Sequence, residues 1–138
     1  MRGSSCKGLK FTLDSKSYYF IGVYRLPSKL KKKFLEDFGQ ILSKIMDEKQ
    51  AGDRIIIAGD FNIPSDPEPN QYNNYKEISK KFNLTHHIIH PTYDDKSCLD
   101  QIMSNFVMEG YVLDEKASDK HQATIAFWND AQAPATEE

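Results

Sequence analysis

A continuous run of β-branched residues, Arg54-Ile-Ile-Ile-Ala58, broken at once by Gly59-Asp60-Phe61-Asn62, constrains this 138-residue chain more than any other segment. A run with no polar alternation fits a strand covered on both faces, which calls for helices packed on a sheet. The partner helix stands just upstream. Leu30, Phe34, Leu35, Phe38, Ile41, Leu42, Ile45 and Met46 recur at steps of three, four and one, so a helix over residues 29–49 buries one stripe. Ser28 is its N-cap and Gly52 its stop.

The remaining elements follow from shorter patterns. Leu9 to Leu13 alternates, Tyr18 to Tyr24 is aromatic and β-branched, and Asp14 to Ser17 turns between them, as in a β-hairpin. Pro64 to Asn70 holds three prolines and reads as a loop. Tyr72, Tyr75, Ile78, Ser79 and Phe82 mark a weaker helix ending near Asn83. Strands are expected at Leu84–His90, Leu99–Ser104, Val107–Leu113 and Ala123–Trp128, the last with Ala123, Ile125 and Phe127 on one face. The class is α/β and the expected order ββαβαβββ. Residues 1–8 read as a flexible start and 129–138, acidic and Ala/Pro-rich, as a disordered tail.

Composition limits the function classes. One domain accommodates the length, and no run approaches the ~18 to 20 apolar residues of a membrane span. With no apolar stretch after the first Met, the expectation is an intracellular protein, nuclear or cytoplasmic, without a membrane partner. Cys6 and Cys98 are too few for a disulfide framework and form no CxxC pair, so both read as reduced thiols. The net charge of −2 conceals an uneven distribution. Residues 1–50 hold 11 Lys and Arg against 5 Asp and Glu (+6), whereas residues 51–138 hold 7 against 15 (−8). The first part can face phosphates and the second can hold cations, although a solvated surface produces the same asymmetry.

Several residues can carry chemistry. A buried strand ending at Asp60 and Asn62 presents an acid and an amide where open α/β sheets expose ligand-binding groups. The acid can bind a divalent cation or take a proton from water and the amide can donate to a phosphate oxygen; a plain Asp/Asn turn is the alternative. Ser118-Asp119-Lys120-His121 sets an acid near an imidazole before the last strand. Tyr24 and Arg25 can both donate to a phosphate, or else lie at the core edge and the surface. Asp100, inside an apolar strand, needs a partner such as His121 or a place on the solvent face. His86, His87 and His90 lack a fourth zinc ligand, and Lys31-Lys-Lys33 reads as a solvated helix face.

Taken in order, these segments resemble the endonuclease/exonuclease/phosphatase superfamily, and within it the endonuclease domain of LINE-type non-LTR retrotransposons. Ile21-Gly-Val-Tyr-Arg-Leu-Pro-Ser28 is similar to that group's YRPP segment, Ile55-Ile-Ile-Ala-Gly-Asp-Phe-Asn-Ile63 to its GDFN strand and His90-Pro-Thr92 to its PT element. Ser97-Cys-Leu-Asp-Gln-Ile102 is similar to its S-x-ID-x-I strand and Ser118-Asp-Lys-His121 to its SDH motif. The resemblance covers residues 6–128 and implies part of a two-sheet β-sandwich flanked by helices.

It also implies a Mg²⁺-dependent phosphodiesterase that nicks DNA, with Mn²⁺ as a substitute ion. Tyr24 would contact the scissile phosphate, Asp60 would orient or deprotonate water, and Asn62 would stabilise the transition state. His121 would hydrogen-bond the phosphate with Asp100 fixing its ring, and Asp119 would hold metal. Arg25, Thr92 and Lys120 would join Asn62 as phosphate or nucleic-acid contacts. Lys120 separates an Asp-His pair that the family keeps adjacent. Either Ala123, Ile125 and Phe127 set a register that places Lys120 in the histidine position, or the loop absorbs one residue and His121 reaches the site. The family's N-terminal half, with a metal-binding Glu and an Asn, has no matching segment before Tyr24. The resemblance therefore implies a domain truncated on that side, marginally stable or completed by a second copy or another chain. An inactive remnant that binds nucleic acid or a partner chain is the alternative function, and a phosphatase of the same superfamily is a further one.

Overall fold

A computed structural model describes residues 4–25, 31–64, 69–94, 97–118 and 120–129. Strands β1 (Ser4–Leu13) and β2 (Lys16–Arg25) form an antiparallel hairpin. Asp14 and Ser15 turn with φ of 49° and 66°, the left-handed pair whose twist matches the strands on either side. β1 reaches back to Ser4 through residues expected as a flexible start. Their side chains carry no strand pattern, but β2 offers backbone partners as far as Arg25, and the ladder needs only those.

Helix α1 (Lys31–Glu48) buries Phe34, Leu35, Phe38 and Leu42 and returns the chain to β3 (Arg54–Asp60), which pairs parallel with β2. The expected N-cap, Ser28, lies outside the described residues. Helix α2 (Pro69–Lys81) starts within the stretch expected as loop, because a proline in the first helical turn lacks only a donor that would go unpaired there. β4 (Thr85–His86), β5 (Asp100–Ser104), β6 (Glu109–Lys116) and β7 (Gln122–Phe127) complete the order, the four segments expected as strands after α2 and one more than the order ββαβαβββ allows. β4 is shorter than the expected 84–90 strand for a definite reason. The Gln101 side chain accepts from the Ile88 N–H at 2.8 Å and donates to its carbonyl at 3.0 Å, standing in for a neighbouring backbone.

The five-stranded sheet has the order β1-β2-β3-β5-β4, and β6 and β7 form a separate two-stranded sheet. Both helices lie on one face of the larger sheet, where Ile21, Val23, Ile55, Ile57 and Met103 meet Phe34, Phe38, Tyr75 and Phe82. On the other face, Tyr18, Ile56, Phe106 and Met108 pack with Ala126 and Trp128 of the smaller sheet's segment. Ile56 is thus covered by β-structure while its neighbours are covered by helix. Ile125 and Phe127, on the face read from the alternation of the last strand, are 45% and 49% exposed. Trp128, with ring centroids 5.9 Å from Tyr18 and 5.4 Å from Phe106, selects the opposite face. Among the described residues, no helix is long and apolar enough to cross a membrane.

One buried polar chain links α2 to β4. His86 Nε2 meets Ser79 Oγ at 2.8 Å, Ser79 Oγ donates to the Tyr75 carbonyl, and Lys76 Nζ lies 3.4 Å from His86 Nδ1. Burial, with the Lys76 charge second, depresses the His86 imidazole to about 3. The fold therefore holds His86 neutral, whereas the unfolded chain takes up its proton below a pH of about 6.5. The contribution is complete above that pH and is lost progressively as pH falls towards about 3. Denaturant titration at pH 7 and pH 5 is expected to show about 2 kcal/mol less stability at pH 5 from this group. His86→Gln, which preserves a donor and an acceptor, should flatten that dependence; an unchanged slope would remove His86 as its source.

Candidate active site

The site begins with register. Tyr24 pairs with Asp60 across β2 and β3, and Asp60 pairs with Asp100 across β3 and β5, so the three occupy one row of the large sheet. Gly59 makes this row possible. Its φ is +154°, and a Cβ there would stand 1.8 Å from the Val23 carbonyl oxygen, so only glycine lets β3 approach β2 this closely.

His121 reaches the row from the other sheet. Its Nδ1 lies 2.7 Å from Asp100 Oδ2, and its Nε2 lies 3.8 Å from Asp60 Oδ2. Lys120 is exposed, its Nζ 6.0 Å from the centre of the Tyr93 ring, so His121 and not Lys120 faces the carboxylates. His121 precedes β7 and is held by a bridge to Tyr93, so the alternation of that strand does not govern its direction. Tyr93 also sets its ring edge-on against the imidazole at 4.9 Å. Asp119 lies outside the described residues.

Asp60 is held at an energetic disadvantage. Burial, and then the neighbouring Asp100 charge, raises its carboxyl to about 6, against the pull of His121, the Asn62 backbone N–H and Arg25. Its Oδ1 is buried and makes no hydrogen bond among the described residues. An orphaned carboxylate oxygen beside a second carboxylate and an imidazole suits a hard divalent cation. Asp60, Asp100 and His121 each offer a ligand atom, all within 4.8 Å of one another.

Two residues expected to touch phosphate do other work. Arg25 is buried, with Nε donating to the Phe61 carbonyl at 2.8 Å and Nη2 to the Asn62 carbonyl at 2.5 Å. It holds the turn in which Asn62 adopts a left-handed φ of 54°. Thr92 is likewise fully buried and its Oγ1 accepts from backbone N–H groups, so the surface it was expected to offer does not exist. Tyr24 does face outward, 46% exposed beside Asp60. His86 and His87 turn to different partners, Ser79 and Ser104, and form no shared centre. Nothing in the sequence pattern marks Tyr93, whose position depends on the bridges that its loop makes to Ser97 and His121.

No protein-family model and no curated protein matches the chain. Solved structures do. The endonuclease domain of TRAS1, a telomere-specific non-LTR retrotransposon, is 13% identical with a TM-score of 0.68, over 96% of this chain and 62% of that one. The chain has the endonuclease/exonuclease/phosphatase fold. A protein of that family from Bacteroides thetaiotaomicron matches at 16% identity and a TM-score of 0.62, over 89% of this chain and 53% of that one. Beta toxin from Staphylococcus aureus, with bound magnesium ions, matches at 14% and 0.59, over 93% and 56%. The chain spans between about half and three fifths of the length of these structures. The endonuclease/exonuclease/phosphatase fold is the one expected from the ordered motifs.

The raised Asp60 carboxyl gives a signed expectation. The fold prefers its protonated form, so the cost of ionising it is absent below the ordinary carboxylate range and complete above a pH of about 6. Asp60→Asn should therefore raise stability at pH 7 by about 1 to 3 kcal/mol, seen as a higher Tm. Mg²⁺ should raise the Tm of the native chain and leave that of Asp60→Asn unmoved. A variant less stable than the native chain would contradict this account of the carboxylate.

Proposed function

We propose that this chain carries the hydrolytic centre of a Mg²⁺-dependent phosphodiesterase that nicks DNA in the manner of retrotransposon endonucleases. The observation that carries the reading is the row of Tyr24, Asp60 and Asp100 closed by His121 at 2.7 Å from one carboxylate and 3.8 Å from the other. The Asp60 carboxylate orients a water and accepts its proton as the oxygen attacks phosphorus. His121, its Nδ1–H held by Asp100, can donate from Nε2–H to a phosphoryl oxygen when the ring carries both protons. Asn62 and the exposed Tyr24 hydroxyl donate to the same charged oxygens. Asp60 and Asp100 would hold the cation through their carboxylate oxygens, and Asp119 extends this set in the reading. A bound Mg²⁺ would polarise the phosphoryl group and offset the charge that develops on it. Lys120 and the basic residues 1–50 supply attraction to the DNA backbone.

A second reading is favoured by the open face of the large sheet, where Leu9 is 62% exposed and Phe20 lies beside it. In it, the chain is silent alone and binds nucleic acid or a complementing chain. Nicking of supercoiled plasmid by purified protein separates the two. With Mg²⁺, open-circle product should form; with EDTA it should not, and Asp60→Ala and His121→Ala should each lower the rate about 100-fold or more. Equal background in all three proteins would set aside hydrolysis by this chain and leave the binding reading.

A further inference from the structure

Thr92 has no exposed surface, yet every polar group it owns is engaged with chain that leads to the site. Its Oγ1 accepts from the N–H of Leu99 and of Asp100, both at 3.1 Å. Its own N–H donates to the Ser97 carbonyl at 2.9 Å, and its carbonyl accepts from the Gln122 N–H at 2.7 Å. Asp100 opens β5 in the large sheet, and Gln122 opens β7 in the small one. One buried residue thus ties together the first residues of two strands from different sheets. The acid and the imidazole of the site stand on the two tied ends, Asp100 on one and His121, next to Gln122, on the other.

We propose that Thr92 is the positioning residue of the Asp100–His121 pair. It touches neither phosphate nor cation in this role; it sets the distance between the two sheets at the one place where a carboxylate of one must meet an imidazole of the other. The hydroxyl is the working part. Valine has the same outline without the oxygen, and would withdraw the acceptor from two buried N–H groups at once. Serine keeps the acceptor. The neighbouring Tyr93 ring then limits how far the imidazole can turn. Only the kinetic consequence of this inference rests on the nuclease reading.

The test compares the native chain with Thr92→Val and Thr92→Ser by NMR and by plasmid nicking. In the native chain and Thr92→Ser, the Nδ1–H proton of His121 should be strongly deshielded by its short bond to Asp100. Thr92→Val should lose that signal, and its kcat should fall about 10- to 100-fold with KM changed less than about twofold. Retention of both the signal and the rate by Thr92→Val would overturn the proposal. Should Thr92→Val fail to fold, amide exchange in the native chain decides: Leu99 and Asp100 must exchange as slowly as Met103, and fast exchange overturns it. If the native chain does not nick DNA, the proton signal and the exchange rates still judge Thr92, while the hydrolytic reading falls.

Discussion

The close approach of β3 to β2 at Gly59 and Val23 governs the end of the large sheet that carries Asp60. Parallel strands joined by a helix carry no turn to lock their register, so the register must come from packing and from local backbone fit. Here the fit is steric and admits one residue type. A slip of one position would send Asp60 to the helix side, into the apolar layer with Phe61 and Ile63, and bring a hydrophobic side chain to the face where His121 stands. Arg25 reinforces the same arrangement from below the turn by holding the two carbonyls that follow Asp60.

Much of this was legible in the sequence, and the reason is periodicity. The apolar stripe of α1, the unbroken β3 run and the Asp14 turn each depend on neighbours close along the chain, and each reads correctly from local pattern. The row of Tyr24, Asp60 and Asp100 was legible only as separate motifs, because register between strands is not written in any one of them. The last strand shows where the pattern misleads. The more apolar face, Ala123, Ile125 and Phe127, turns outward, because the aromatic platform of Tyr18 and Phe106 takes Trp128 on the face of Gln122, Thr124 and Ala126. Strand 84–90 failed for a different reason, since a side-chain amide from β5 occupies the backbone groups that a neighbouring strand would use.

Residue type was a poorer guide to role than to chemistry. Arg25 and Thr92 are sound phosphate ligands in isolation, and both lie in motifs with that expectation. In the structure Arg25 donates inward to two backbone carbonyls and the Thr92 hydroxyl accepts from two backbone amides. Fixed turns leave polar backbone groups that must be satisfied away from water, and a motif near a site contains such turns by necessity. Asp60 is the converse case. Among the described residues its buried Oδ1 stays unpaired, and burial beside Asp100 disfavours its ionised form.

Two carboxylates belong to one sheet and the imidazole precedes a strand of the other, so the site spans the seam between them. Trp128, just past one end of β7, is anchored on the Tyr18 and Phe106 rings, and His121 stands just before the other end. Thr92 fastens the His121 end to β5, so the two ends of that strand are held to the large sheet by different means, one by hydrogen bonds and one by packed rings. The approach of His121 to the two carboxylates therefore depends on aromatic packing at the far end of that strand as well as on the ties at its near end.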